Sequence, residues 1–287
     1  MLYINDQELD TVVGYIAVLC LGQLCSGFIA IRCGQEYVSK GKQTSTVVRF
    51  LGIKAASDFI YNIDFIVYCC LLYRGKELKG SSCVPLGFVS QLCALADMTL
   101  NFLIAFDVYL LLLNPYTYDT KKWRNRMLIA ASVLCFGTSF VLLGAGKLGN
   151  SGDGDCWVKN PIGIWSWCLY GPAYFYFFFC ISAVLFFIYK VARESSVTDG
   201  DEIFASDLAK RMLSKMILFT FMYLCCWSLI IFRHFLELNG VNPDKVPKAQ
   251  GIAATFGSMS IGIWDLFVWY VVRSVASQCF FDAAVWI

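Results

Sequence analysis

The chain has 287 residues, 58% of them hydrophobic and 15% charged, with a mean hydropathy of +0.62, which excludes an ordinary water-soluble domain. A net charge of +2, from 23 basic and 21 acidic residues, leaves no basic surplus for wrapping nucleic acid, so no nucleic-acid partner is expected. The 22 glycines and 6 prolines follow no period, which removes collagen-like, low-complexity and solenoid chains.

A bilayer core about 30 Å thick needs roughly 20 apolar residues per helix, whereas barrel strands alternate over about 10. The apolar runs here are long and continuous, and predict an all-α membrane protein built as a seven-transmembrane helix bundle. In chain order the spans are 11–31, 47–72, 84–113, 127–145, 162–190, 212–238 and 251–275. They leave a short extracellular N-terminus (1–10), a transmembrane domain (11–275) and a short cytoplasmic tail (276–287). The opening MLYINDQELD carries three acids and no basic stretch, so the first run reads as a retained anchor and not as a removable signal peptide.

Orientation follows from Lys and Arg, which accumulate in cytoplasmic connections. Arg32, Lys40, Lys42, Arg49, Lys121, Lys122, Arg124, Arg126, Lys190, Arg193, Lys210, Arg211, Lys215 and Arg273 fall on one side. Arg74, Lys76, Lys79, Lys147, Lys159, Lys245 and Lys248 fall on the other, and Lys54 and Arg233 lie within spans. The richer side is cytoplasmic, which places the N-terminus outside and the C-terminus inside. Cys83 and Cys156 then face the oxidising side, and most of the other cysteines lie within spans, so a Cys83–Cys156 disulfide is expected. Two free loop thiols are the alternative, and Cys69 and Cys70 are the nearest competing partners. A single histidine, His234, excludes a multi-histidine metal site; no CxxC or Cys/His cluster at zinc spacing occurs, and neither a metal nor a cofactor is expected.

Ionisable side chains inside the spans cost about 2.5–3.5 kcal/mol each at a helix centre and so face the bundle interior. Five acids (Asp58, Asp64, Asp97, Asp107, Asp265) accompany two bases (Lys54, Arg233), an acidic excess that a proton, a cation or water must offset. At 1.5 Å per residue, Asp58 lies about 17 Å into helix two, Asp97 about 20 Å into helix three and Asp265 about 21 Å into helix seven. These depths allow a shared polar core of Lys54, Asp58, Asp97 and Asp265. Lys54 and Asp58, four apart, also fit a simple local ion pair. Arg233, beside His234 and one turn before Glu237, is either a snorkelling residue or a contact for an anionic ligand group. Trp157, Trp165, Trp167, Tyr170, Tyr174 and Tyr176 gather in the outer half, as an interfacial belt or as the lining of a ligand pocket.

No catalytic constellation appears: one histidine allows no convincing Ser/His/Asp or Cys/His set, and neither GxxxxGK[ST] nor HExxH occurs, so no enzyme is expected. A retinal Schiff base would need a lysine in helix seven, and Gly251 to Val271 contains none.

Seven spans, an outside N-terminus and a helix-three cysteine facing one in the next outer loop together resemble a G-protein-coupled receptor. Cys156-Trp157 in the second outer loop, followed by Tyr170-Gly171-Pro172 at the top of helix five, resembles the cyclic-AMP-receptor-like family (class E), which is related to the secretin and adhesion receptors. Ala55-Ala56-Ser57-Asp58 is similar to that family's A-x-S-D. Ile104-Ala105-Phe106 followed by Val108-Tyr109-Leu110 resembles the stretch it carries in place of Asp-Arg-Tyr. Cys226-Trp227 with Arg233 beyond resembles its helix-six Trp and Asn-Arg, one residue shorter and with Phe232 for the Asn. Two departures stand out: Phe136-Gly137 replaces the usual Trp-Gly, and Asp265 replaces an Asn.

The resemblance implies a plasma-membrane receptor that passes an extracellular small-molecule signal to a heterotrimeric G protein by helix rearrangement. Its ligand site would draw on Asp64, Asp97, Trp157, Trp165, Tyr174, Arg233, Glu237 and Trp264. Its G-protein interface would draw on Tyr109, Lys121, Lys122, Arg124, Arg126, Lys210, Arg211 and Lys215; positive-inside residues touching membrane lipid headgroups are the plainer account of these charges. After Arg273, Ser274 and Ser277 offer little for tail phosphorylation, and Cys279 is a candidate for palmitoylation. Two other classes compete. An ion- or proton-coupled transporter would use Asp58, Asp97 and Asp265 as carriers, and a receptor-fold structural subunit would lack signalling altogether.

Overall fold

A computed structural model of the chain describes residues 6–41, 44–73, 82–113, 118–151, 156–160, 162–194, 203–240 and 260–271. These residues are almost entirely helical: α1 (Asp6–Lys40), α2 (Thr46–Tyr73), α3 (Cys83–Leu113), α4 (Thr120–Gly144), α5 (Trp167–Glu194), α6 (Ile203–Leu238) and the shorter apolar α7 (Ile261–Val271). Among the described residues, four stretches are long and apolar enough to cross a bilayer, Val13–Lys40, Cys83–Leu111, Lys122–Gly144 and Ile164–Lys190. Large apolar side chains such as Leu24, Ile31, Ile129, Val133, Phe175, Phe178 and Leu185 stand exposed on their outer faces, where water would penalise them and hydrocarbon would not.

Several helices outrun the apolar runs in the sequence because a helix need not stop where the bilayer does. α1 begins at Asp6, five residues before the expected span, and continues to Lys40, whose cationic end suits a helix C-terminus. Gly41 then takes a left-handed conformation (φ 53°) that ends the helix. α4 starts at Thr120, seven residues before Met127, because the Asp119 carboxylate accepts the Lys122 backbone N–H (3.2 Å) as an N-cap. It closes at Gly146 (φ 63°), where Lys147 N–H returns to the Leu142 carbonyl (3.0 Å). Pro172 sits in the second turn of α5 and leaves the Cys168 carbonyl without its usual helical donor.

Between α4 and α5 lies a hairpin absent from the sequence reading: β1 (Leu148–Asn150) pairs antiparallel with β2 (Cys156–Val158), Gly149 opposite Trp157. A disulfide joins Cys83 at the start of α3 to Cys156 in β2, and neither of the competing Cys69 and Cys70 is disulfide-bonded. Gly87 admits the hairpin to α3, since a Cβ there would lie 3.3 Å from the Trp157 backbone.

α3 is the axis of the bundle, touching α2, α4, α5, α6 and both strands; 67% of its apolar window is buried, against 28% for α1, α4 and α5. Around it, one apolar cluster centres on Tyr61, Met98, Tyr223, Trp227 and Ile261, and a second on Phe50, Leu100, Ile104, Met127 and Val268. The polar core lies among these helices, and the remainder of the expected seventh span, 251–259 and 272–275, lies outside the described residues.

Candidate functional site

Lys54 and Asp58 are four residues apart on α2 and share one face, so their Nζ–Oδ2 contact of 2.9 Å follows from helix geometry alone. The structure adds two partners from elsewhere. Lys54 Nζ also lies 2.6 Å from Asp97 Oδ1 on α3, and 2.7 and 2.8 Å from the two carboxylate oxygens of Asp265 on α7. One ammonium, with three N–H bonds to give, thus meets three carboxylates from three helices. All four side chains are no more than 2% exposed, so water contributes little to their solvation.

The second oxygen of Asp97 accepts from the Trp227 indole N–H of α6 (2.8 Å), and the Asn101 amide approaches its first oxygen at 3.4 Å. Asp97 therefore links Lys54 to α6. One positive charge against three negative leaves a formal −2 in a dry site, a deficit that must be covered by protons or a further cation. The ammonium already occupies the point where the carboxylates converge, and among the described residues no group of three His, Cys, Asp or Glu side chains is disposed to hold a metal ion. The cluster ties α2, α3 and α7 together through one ammonium, and α6 to them through Trp227.

The remaining candidate ligand residues each engage near neighbours. Asp64, buried, accepts from Ser90 (2.6 Å). The Trp157 indole donates to Gln91 (2.6 Å) and meets the Tyr170 ring edge-on at 5.6 Å. Trp165 lies under the Lys147 ammonium, 5.7 Å from its ring centre. Arg233 is paired with Glu237 on its own helix (2.8 Å). Trp264, next to Asp265, donates to Ser260 (3.1 Å).

Sequence reasoning did not place His234 in a site, and the structure makes it the meeting point of α5 and α6. Its ring, 1% exposed, stacks on Tyr170 at 3.5 Å between centroids with 12° between planes. Tyr174 OH lies 3.3 Å from Nδ1, and Ser166 Oγ lies 3.5 Å from Nε2. Both hydroxyls also have carbonyls within reach, Ile231 at 3.3 Å and Gly163 at 2.8 Å; a neutral imidazole carries one N–H, so the ring can donate to one of the two hydroxyls and accept from the other, the tautomer deciding which. The only signal in the sequence was a lone histidine beside a charged residue.

At the opposite end, Tyr109 is half-buried and packs edge-on against Phe179 and Phe187. Lys122 and Arg126 are exposed, the latter over the Trp123 ring at 5.4 Å. Arg124 is buried, 5% exposed. Lys210, Arg211 and Lys215 belong to α6, but their side chains, like that of Lys121, lie outside the described residues.

Comparison with protein-family models and with curated proteins gives no match to this chain. Fold and site together define a helical membrane protein with a charged, water-excluded core that joins α2, α3 and α7 and reaches α6 through one tryptophan.

Proposed function

We propose that the chain is a seven-helix receptor of the plasma membrane, with its N-terminus outside and its C-terminus inside, that passes an extracellular small-molecule signal to a heterotrimeric G protein. The observation that carries this reading is the chain Lys54–Asp97–Trp227: the position of α6 is tied by one indole hydrogen bond to a charge cluster shared by three other helices. A packing of this kind has discrete alternatives, because breaking the indole bond leaves a buried carboxylate oxygen unpaired, and a ligand that favours one arrangement shifts the population. The resemblance of Cys156-Trp157, Tyr170-Gly171-Pro172 and Ala55-Ala56-Ser57-Asp58 to cyclic-AMP-receptor-like proteins supports the same reading. The outer aromatic residues around His234 supply apolar surface for a ligand, and Lys121, Lys122, Arg126, Lys210, Arg211 and Lys215 supply positive charge at the other end.

The test is expression in cells carrying a panel of G-protein dissociation sensors, with and without crude extracellular extracts, beside the variant Lys210→Ala/Arg211→Ala/Lys215→Ala. A signal from the parent that falls in the equally expressed variant is the expected result. Silence across the panel at verified surface expression would overturn the proposal. The formal −2 of the core favours a proton-coupled transporter as the second reading, and proton flux into liposomes lost in Asp58→Asn would support it.

A further inference from the structure

At the end of the bundle away from the disulfide, Arg49 has no place in the receptor reading above, and Arg124, counted there among the G-protein interface charges, is buried. Arg49 lies in the first turn of α2 and Arg124 in the first two turns of α4. Arg49 sends Nη2 to the Gly41 carbonyl (2.7 Å) and stacks over the Tyr37 ring, 4.8 Å from its centre. Its Nε is buried and has no hydrogen-bond partner. Arg124 is 5% exposed, and its Nε is also buried without a partner. Phe50, next to Arg49, and Met127, one turn from Arg124, pack in one apolar cluster with Phe106, next to Asp107, against it, which brings the two arginines and Asp107 to the same end of the bundle. The Asp107 carboxylate is already engaged, accepting from Tyr118 OH at 2.6 Å.

Buried guanidinium N–H groups without acceptors are costly, and two of them side by side are costlier still through like-charge repulsion. An oxyanion between the two forks removes both penalties at once. Depth decides which one. Trp123, adjacent to Arg124, is 42% exposed and carries Arg126 over its face, the arrangement of an interfacial anchor at headgroup level. Lipid phosphates lie at that level, held by the bilayer beside the half-buried Arg49. We propose that Arg49 and Arg124 together bind the phosphate of an anionic membrane lipid, with Asp107 bringing the formal charge of the site from +2 to +1, the complement of a singly ionised phosphate. This site is independent of whether the chain couples to a G protein.

The experiment uses the full chain in nanodiscs of phosphatidylcholine alone or with phosphatidic acid, and in a third arm phosphatidylcholine with free inorganic phosphate. Retained lipid is read by native mass spectrometry and thermal midpoint by intrinsic fluorescence. The parent is expected to retain phosphatidic acid and melt higher in its presence, with free phosphate without effect. Arg49→Gln and Arg124→Gln should each weaken retention at least about tenfold, the equivalent of about 1.4 kcal/mol. Arg124→Lys, which keeps the charge and the fold but loses the fork, should fall with them. Arg32→Gln, an exposed positive charge on α1, should behave as the parent. Equal retention by Arg124→Lys and the parent, equal loss in Arg32→Gln, or an equal shift from inorganic phosphate would each overturn the proposal.

Discussion

Replacing Lys54 by Met removes the one cation from a cluster of three buried aspartates. The parent core carries a formal −2, and the variant carries −3 with no ammonium to hold the carboxylates together. Deleting one member of a single buried ion pair costs about 3–5 kcal/mol, because the partner is left charged and desolvated. Lys54 serves three partners at 2.6–2.9 Å, so this range is a floor, and it takes a large share of the roughly 5–15 kcal/mol that holds a typical fold. At about 2–4 °C per kcal/mol for a chain of this order, the melting point should fall by at least about 6–20 °C. The assay is thermal unfolding of detergent-purified protein followed by size exclusion. The compensating variant Lys54→Met/Asp58→Asn/Asp97→Asn/Asp265→Asn returns the core to neutrality and should recover most of the loss. A Lys54→Met protein melting within about 2 °C of the parent, or a fourfold variant no better than the single one, would refute the electrostatic account.

The same geometry gives further expectations. Trp227→Phe keeps the ring but deletes the N–H given to Asp97; a bond to a charged acceptor is worth about 1.5–3 kcal/mol, and melting in detergent should show a fall of that order, whereas Phe221→Leu, exposed on the same helix, should show little. Tyr118→Phe should cost a similar amount, since Tyr118 donates to the buried Asp107, and burial followed by that bond pushes its phenol above the usual tyrosine range. The phenol therefore stays protonated and donating through neutral pH, and Tyr118 absorbance should remain that of the neutral form in the alkaline range where exposed tyrosines ionise. Gly262→Val should disrupt α7 against α1, because a Cβ there would run into the Gly22 carbonyl and Ser26 Oγ; loss of folded yield with Gly137→Val tolerated, where nothing lies near, is the expected pattern.

Much of the core was legible because its signals are one-dimensional. Lys54 and Asp58 repeat at four residues, and the depths of Asp97 and Asp265 follow from counting along apolar runs, so their convergence needed only the premise that buried charge avoids lipid. Trp227 and Asn101 were not legible as partners of Asp97: an indole in an apolar helix is hydrophobic by composition, and which way its N–H points depends on the rotation of α6, which no run of hydropathy encodes. The hairpin escaped because strands of three residues are too short to show alternation. The first turns of α4, Thr120 to Arg126, escaped because hydropathy measures apolar length and not helix length. The cue was there in Asp119, a carboxylate placed to cap them.

α6 brings these levels together. Trp227 and His234 are seven residues apart, two turns, and therefore lie on nearly one face about 10 Å apart along the axis. Tyr223, one turn further, gives its hydroxyl to the Ala173 carbonyl of α5 at 2.8 Å. One stripe of α6 is thus fixed three times: to α5 by Tyr223, to the charge cluster by Trp227, and to α5 again by the stack of His234 on Tyr170. The outer attachment relies on ring stacking and two hydrogen bonds of 3.3 and 3.5 Å, and the middle one on a 2.8 Å bond to a carboxylate. The outer contact is the weaker by bond length and charge, so strain applied to α6 should release there first, with Trp227 as the pivot.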